Sequence, residues 1–127
     1  MCGADNAVNG IPSCLNEEIL HSTVRDRLSF DGYITSDCFA LDCPYSGKSQ
    51  YFNYSTDETM ALALTAGCDL DCGTTYGNYL PHAIKSGAVN MSQVDDALAH
   101  LFRVSSIHFS HAAAWWQQSG ARGSLLQ

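Results

Sequence analysis

Three aspartates fall at or beside short β-prone runs: Asp37 directly after Tyr33-Ile34-Thr35-Ser36, and Asp69 and Asp71 in and just beyond Cys68-Asp69-Leu70. A carboxylate held at a strand end can attack an electrophilic carbon or move a proton, because rigid backbone fixes its aim. It can equally open a turn, a common role for Asp. Six cysteines, Cys2, Cys14, Cys38, Cys43, Cys68 and Cys72, surround these acids. Cys38, Cys43, Cys68 and Cys72 with Asp69 and Asp71 offer a donor set for zinc. The Cys68-x3-Cys72 spacing, however, is wider than the two-residue knuckle of structural zinc sites. An even cysteine count in a short chain fits disulfides as well as reduced, half-buried thiols. The glutamates Glu17, Glu18 and Glu58 all sit where a helix would begin, and the five histidines are scattered in solvated or packed positions.

The elements that must position these groups follow from patterning. Residues 1–14 are rich in Gly, Asn and Pro, with turn chemistry at Asn9-Gly10, and read as a loop. Asn16 can cap a first helix in which Leu20, Val24 and Leu28 form one stripe, ending near Ser29. Asp31-Gly32 turns the chain into the first strand. Residues 38–55 form a long polar and aromatic loop of the kind that carries function. Ser55 with Glu58 spells a capping box for a second helix closed by Gly67. A third helix covers Tyr76–Ser86 with Gly87 as its stop. The fourth opens at Ser92 and carries Val94, Ala97, Leu98, Leu101 and Phe102 at helical spacing. From Ser106 onward no period organises the apolar groups, so residues 106–127 read as a loosely held tail. The alternation of helix and strand predicts an α/β fold with a parallel sheet. Two short strands cannot bury both faces of such a sheet, so further strands are expected outside this sequence.

Composition narrows the partners. The 127 residues are 46% hydrophobic and carry a net charge of −7, with six Lys and Arg dispersed along the chain. No basic footprint exists for nucleic acid or an anionic membrane surface, and no run approaches the length of a membrane span. Met1 is followed by neither a basic nor an apolar leader region, which conflicts with the disulfide reading unless the chain is part of a longer secreted protein.

Three blocks, "AVNGIPSC", "FDGYITSDC" and "ALALTAGCDLDCG", in this order and spacing, resemble glycoside hydrolase family 3, in its fungal and plant β-xylosidase and β-glucosidase branch. The resemblance runs from about Asn6 to about Val104. It implies a (β/α)8 TIM barrel of which this chain would supply approximately strands 6–8, so that residues 1–105 form a partial barrel domain and 106–127 a divergent tail. It further implies an exo-acting, retaining β-glycosidase that needs no cofactor and no metal, with Asp37 of the "SDC" block as nucleophile. Cys38 would border the sugar. Relatives place a tyrosine of the first sugar subsite where this chain has Asp5, so that contact is altered here. The implied partner is a β-linked oligosaccharide or aryl glycoside. The parent family is secreted; for this chain the compartment is open. The general acid has no counterpart in the sequence, so the chain alone is expected to be inactive. Uncovered strand edges are expected to favour self-association. The alternatives are a non-catalytic sugar-binding or interaction piece, or a small metal-binding module.

Overall fold

The computed structural model describes residues 6–45 and 52–118, with side chains described as far as residue 106. A two-residue antiparallel hairpin, β1 (Ala7–Val8) and β2 (Ile11–Pro12), opens the chain. Its turn uses Asn9 and Gly10 at φ of 54° and 79°, the left-handed pair that a two-residue hairpin turn needs. The sequence marks this turn but not its flanks, because two-residue strands carry no period.

The first helix is wound wide. Residues Glu18–Arg27 form a π-helix, entered through Asn16, whose Oδ1 accepts the Ile19 N–H at 3.2 Å. Leu20 is buried and Val24 packs against the same core, but Leu28 is 70% exposed. The expected stripe therefore holds for two of its three members. The helix stops one residue before Leu28, and Ser29 at φ 52° turns the backbone away.

Helix α1 (Thr56–Ala66) begins in the capping box read from the sequence. Ser55 Oγ accepts the Glu58 N–H, and Glu58 Oε2 accepts the Ser55 N–H at 2.8 Å. These bonds hold the Glu58 carboxyl below its usual range. Gly67 ends α1 in the left-handed region at φ 94°, and Gly87 does the same for α2 (Thr75–Ser86) at φ 81°. Asp57 in the first turn of α1 staples α2 by accepting from His82 and Ser86, at 2.9 and 2.7 Å, and the two bonds lower its pKa.

Helix α3 runs over Met91–Gln118. Its backbone thus continues well past Ser105, where the sequence shows no organised apolar spacing; a stretch without Gly or Pro, including Ala112-Ala113-Ala114, does not break a helix. Residues 119–127 lie outside the described residues. In α3, Ala97 is buried and Val94 packs inward, whereas Met91, Leu98 and Phe102 stay 54%, 42% and 60% exposed along one face.

The parallel pairing is short. Thr35 and Leu70 form a single parallel bridge, with Ser36 N–H donating to Leu70 O at 2.8 Å and Leu70 N–H to Ile34 O at 3.2 Å. After the hairpin, helices and β-prone segments alternate in the expected order, but among the described residues the parallel pairing is a single isolated bridge rather than a sheet. Two apolar clusters cover the pair. One gathers Leu15, Leu20, Ile34, Leu41, Ala63 and Cys68; the other gathers Met60, Leu64, Ala83, Val89 and Ala97. Tyr76 packs against both, and its hydroxyl donates to Cys68 O at 2.6 Å.

One carboxylate ties the layers together. Asp69 Oδ2 accepts from Arg25 at 2.5 Å and from the Ile34 N–H at 2.7 Å, while Oδ1 accepts from His100 Nδ1 at 2.9 Å. The Asp69 and Arg25 side chains are 3% and 9% exposed. Removing one member of such a pair strands a buried charge. Asp69→Asn should therefore cost about 3–5 kcal/mol. In urea titrations followed by circular dichroism, the double variant Arg25→Met/Asp69→Leu should recover most of that loss; equal instability of single and double variants would contradict it.

Candidate active site

The first strand delivers Asp37 to the point where the backbone leaves the sheet. Ser36 is fully buried and Asp37 is half-buried, while Cys38 and Phe39 are exposed. A tight turn follows at once: Ala40 N–H donates to Asp37 O at 3.1 Å, and Asp42 N–H to Phe39 O at 3.0 Å. Phe39 adopts φ 62°, a left-handed conformation that costs a bulky residue about 1–2 kcal/mol and directs the chain sharply over the strand ends. The Asp37 carboxylate accepts the Cys38 N–H at 2.8 Å through Oδ1.

The second strand runs beside the first and leaves at the same end. Phe39 N–H donates to Cys72 O at 2.8 Å, and a Cys38–Cys72 disulfide crosses the gap between the two exits. Ser36 Oγ accepts the Cys72 N–H at 2.9 Å and donates to Asp71 Oδ1 at 3.4 Å. Asp71 Oδ2 accepts the Tyr76 N–H at 3.1 Å, in the first turn of α2, where a helix favours a negative charge. Further along the loop, Asp42 accepts from Thr75 and from Tyr45, whose hydroxyl burial pushes up to about 12. Tyr45 meets the edge of the Tyr79 ring with centroids 5.3 Å apart. The first part of the loop after Asp37 is thus pinned twice, at Cys38 by a disulfide and at Asp42 by the start of α2.

The three strand-associated aspartates now separate by role. Asp69 is consumed by Arg25, His100 and the Ile34 backbone, and Asp71 by Ser36 and α2. Asp37 retains one short backbone contact and an open side toward solvent. Cys38 follows it in the chain, and its sulfur is bonded to Cys72, so it offers neither a thiol nor a metal ligand. Asp5 lies outside the described residues. Cys14 is also disulfide-bonded. Burial pushes the Cys68 thiol up to about 12, far from an ionised ligand. No group of three or more His, Cys, Asp or Glu among the described residues is arranged to hold a metal ion. Glu17, Glu18 and Glu58 are exposed at helix starts, as read.

Sequence reasoning missed Arg25 and Ser36. Arg25 reaches Gly32 O at 3.1 Å, Gly67 O at 3.3 Å and Asp69, so it joins three segments distant in sequence. Nothing local in "STVRDRL" marks it. Ser36 carries a weak signal, since a small hydroxyl between a strand and Asp37 fits a buried position that must satisfy a neighbouring backbone N–H. A separate cleft of about 550 Å³ opens between the π-helix, α1 and α3, lined by Arg25, Asp69, Gln93 and His100 among others. Asp37 does not line it.

Known proteins resemble this chain in sequence and fold. The family model for the Glycosyl hydrolase family 3 N terminal domain matches residues 1–104. An Aspergillus fumigatus protein named "Probable exo-1,4-beta-xylosidase bxlB" is 39% identical over 100 residues, 76% of this chain and 13% of that protein. Beta-xylosidase/alpha-L-arabinofuranosidase 1 of Medicago sativa subsp. varia is 34% identical over 97 residues, 76% of this chain and 12% of its own length. Among solved structures, an exo-beta-xylosidase, XlnD, in complex with a xylobiose aziridine probe superposes with a TM-score of 0.65 at 32% identity, covering 75% of this chain and 12% of that one. A beta-glucosidase from Listeria innocua superposes with a TM-score of 0.67 at 25% identity, covering 80% and 14%. The chain therefore spans about an eighth of the length of the curated relatives it matches.

A 34-residue separation between bridged cysteines removes roughly 4 kcal/mol of chain entropy from the unfolded state. Cys72→Ser, or reduction of the native chain, should lower the thermal midpoint markedly. Peptide mapping without reductant should recover one linked peptide pair containing Cys38 and Cys72; finding either cysteine joined to another partner would refute the assignment.

Proposed function

Because the chain belongs to glycosyl hydrolase family 3, we propose that Asp37 is the nucleophile of a retaining, exo-acting β-glycosidase to which these residues contribute one arc of a (β/α)8 barrel, approximately strands 6–8. The observation that carries this reading is the division of labour among the strand-associated aspartates. Asp69 is engaged by three donors and Asp71 by two, while Asp37 stands half-buried at a strand exit with a carboxylate oriented by one backbone N–H. In parallel α/β barrels, working groups occupy that end of the strands.

A retaining mechanism assigns Asp37 a specific task. Its carboxylate attacks the anomeric carbon while a second carboxyl protonates the departing oxygen, and water then releases the glycosyl-enzyme ester. The two carboxyls must stand about 5 Å apart. The glutamates of this chain begin helices, and Asp69 and Asp71 hold the fold, so the proton donor comes from elsewhere in the full protein. Cys38, through its bridge to Cys72, and Asp5 would border the bound sugar, with a β-linked oligosaccharide or aryl glycoside as substrate. The family match ends at residue 104, which supports dividing the chain into a barrel portion, 1–105, and a departing segment, 106–127.

Two measurements test this. The isolated chain should leave an aryl β-xyloside intact. A family-3 β-xylosidase carrying residues 6–104 in place of its own matching segment should hydrolyse it, with Asp37→Asn losing about 10⁴-fold or more. Azide added to the Asp37→Ala chimera should yield a glycosyl azide of inverted configuration. An active chimera indifferent to Asp37→Asn would end the nucleophile assignment, and hydrolysis by the chain alone would end the proposal of inactivity.

The exposed row of Met91, Leu98 and Phe102, together with exposed Leu70 on the second strand, favours a second reading in which the chain associates with itself or another polypeptide to cover these groups. Sizing chromatography distinguishes it: a concentration-independent monomer that melts cooperatively would count against any need for a partner.

A further inference from the structure

Two Asn-x-Ser triplets occur in the sequence, Asn53-Tyr54-Ser55 and Asn90-Met91-Ser92, and in neither is the middle residue Pro. This is the acceptor pattern for asparagine-linked glycan. Such triplets also arise by chance, so the structural setting of each decides its weight. Asn53 lies at the end of the loop that leaves the Asp37 strand, two residues before the capping serine of α1, and is exposed. Asn90 lies in the turn between α2 and α3, immediately before α3, and is exposed as well. Both acceptors therefore sit on surface connections, where a bulky polar appendage displaces no packed side chain.

Their amides are also uncommitted. Two other asparagine amides carry structural duty: Asn6 Oδ1 accepts from Ser13 Oγ at 3.2 Å, and Asn16 uses both ends, toward Ile19 N–H and Val8 O; Asn9 and Asn78, like Asn53 and Asn90, do not, but neither of them stands in an acceptor triplet. The side-chain amides of Asn53 and Asn90 make no hydrogen bond among the described residues. Asn90 precedes a helix, where Asn commonly caps with its side chain, yet here the contact is made by its backbone N–H, donating to Gln93 Oε1 at 2.9 Å. Capping by the amide thus does not explain Asn90. The serine of the first triplet, Ser55, has a second duty in the capping box, which forms only as the chain folds.

The compartment agrees. The Cys38–Cys72 bridge, and the bonded state of Cys14, require an oxidising environment, and in eukaryotic cells that is the lumen where such glycans are attached. We propose that Asn53 and Asn90 are sites of N-glycosylation. The donor is a lipid pyrophosphate-linked oligosaccharide ending in an N-acetylhexosamine. The amide Nδ2 attacks C1 of that sugar; the N–C1 bond forms, the bond from C1 to the pyrophosphate oxygen breaks, the lipid pyrophosphate leaves with the electron pair, and the amide gives up one proton. At Asn53 the glycan stands on the loop that opens with Asp37, and at Asn90 it covers the turn into α3.

Translation of the full chain behind a supplied leader peptide, in the presence of microsomal membranes, tests this directly. Two glycans should appear as two mobility steps, both removed by peptide-N-glycosidase. Asn53→Gln and Asn90→Gln should each abolish one step, Ser55→Ala and Ser92→Ala should do the same, and Ser55→Thr and Ser92→Thr should retain both. Transfer acts on the nascent chain, so a variant that later folds poorly still reports on its site. A wild-type chain without steps would overturn the proposal, and a step count unchanged by the variants at either asparagine would overturn it for that residue.

Discussion

The buried Asp69 carboxylate holds this small structure in register. It receives the Ile34 N–H from the neighbouring strand, a guanidinium from the π-helix and an imidazole from α3, so three elements converge on two oxygens. A charge this far from water must be compensated, and each donor does so only when its element stands in one place. The cost is visible in Arg25 Nε, a buried donor without a partner among the described residues. The interaction specifies position more than it adds stability, since desolvating both ions consumes much of their attraction.

What that register positions is the pair of strand exits. Once Ile34 is fixed against Asp69, the bridge between Thr35 and Leu70 follows, and with it the alignment of Asp37 with Cys72. The Cys38–Cys72 disulfide and the Asp42 contact with Thr75 then fasten the emerging loop to the sheet and to α2. The carboxylate proposed to attack is therefore supported indirectly. Residues at the far end of the strand set its place, and covalent linkage of its neighbour limits its drift. Such layered support is what precise placement of a reacting group demands.

The helices were legible because their signals are local. Ser55 with Glu58, the glycines 67 and 87, and the spacing of apolar groups in α1 and α2 each act over a few residues, and each appears where the chain announces it. The aspartate at the strand exit was legible for the same reason. The disulfide partner of Cys38 was not, since six cysteines allow many pairings and only folding brings residue 72 beside residue 38. Arg25 was invisible for a related reason: its partners lie 7, 42 and 44 positions away. The wide winding of the first helix also escaped notice, because the stripe of Leu20, Val24 and Leu28 reads the same until the helix stops short of its third member.

Gly67 meets two demands that no other residue type meets together. Its φ of 94° lies where a Cβ is strained, and an added Cβ would stand 3.1 Å from Arg25 Nε. Relieving the backbone with Asn would still leave the crowding, and shortening the arginine would still leave the dihedral. A side chain at position 67 therefore strains the backbone and requires Arg25 to give by a few tenths of an ångström, so a change at the end of α1 is felt at the buried Asp69 junction.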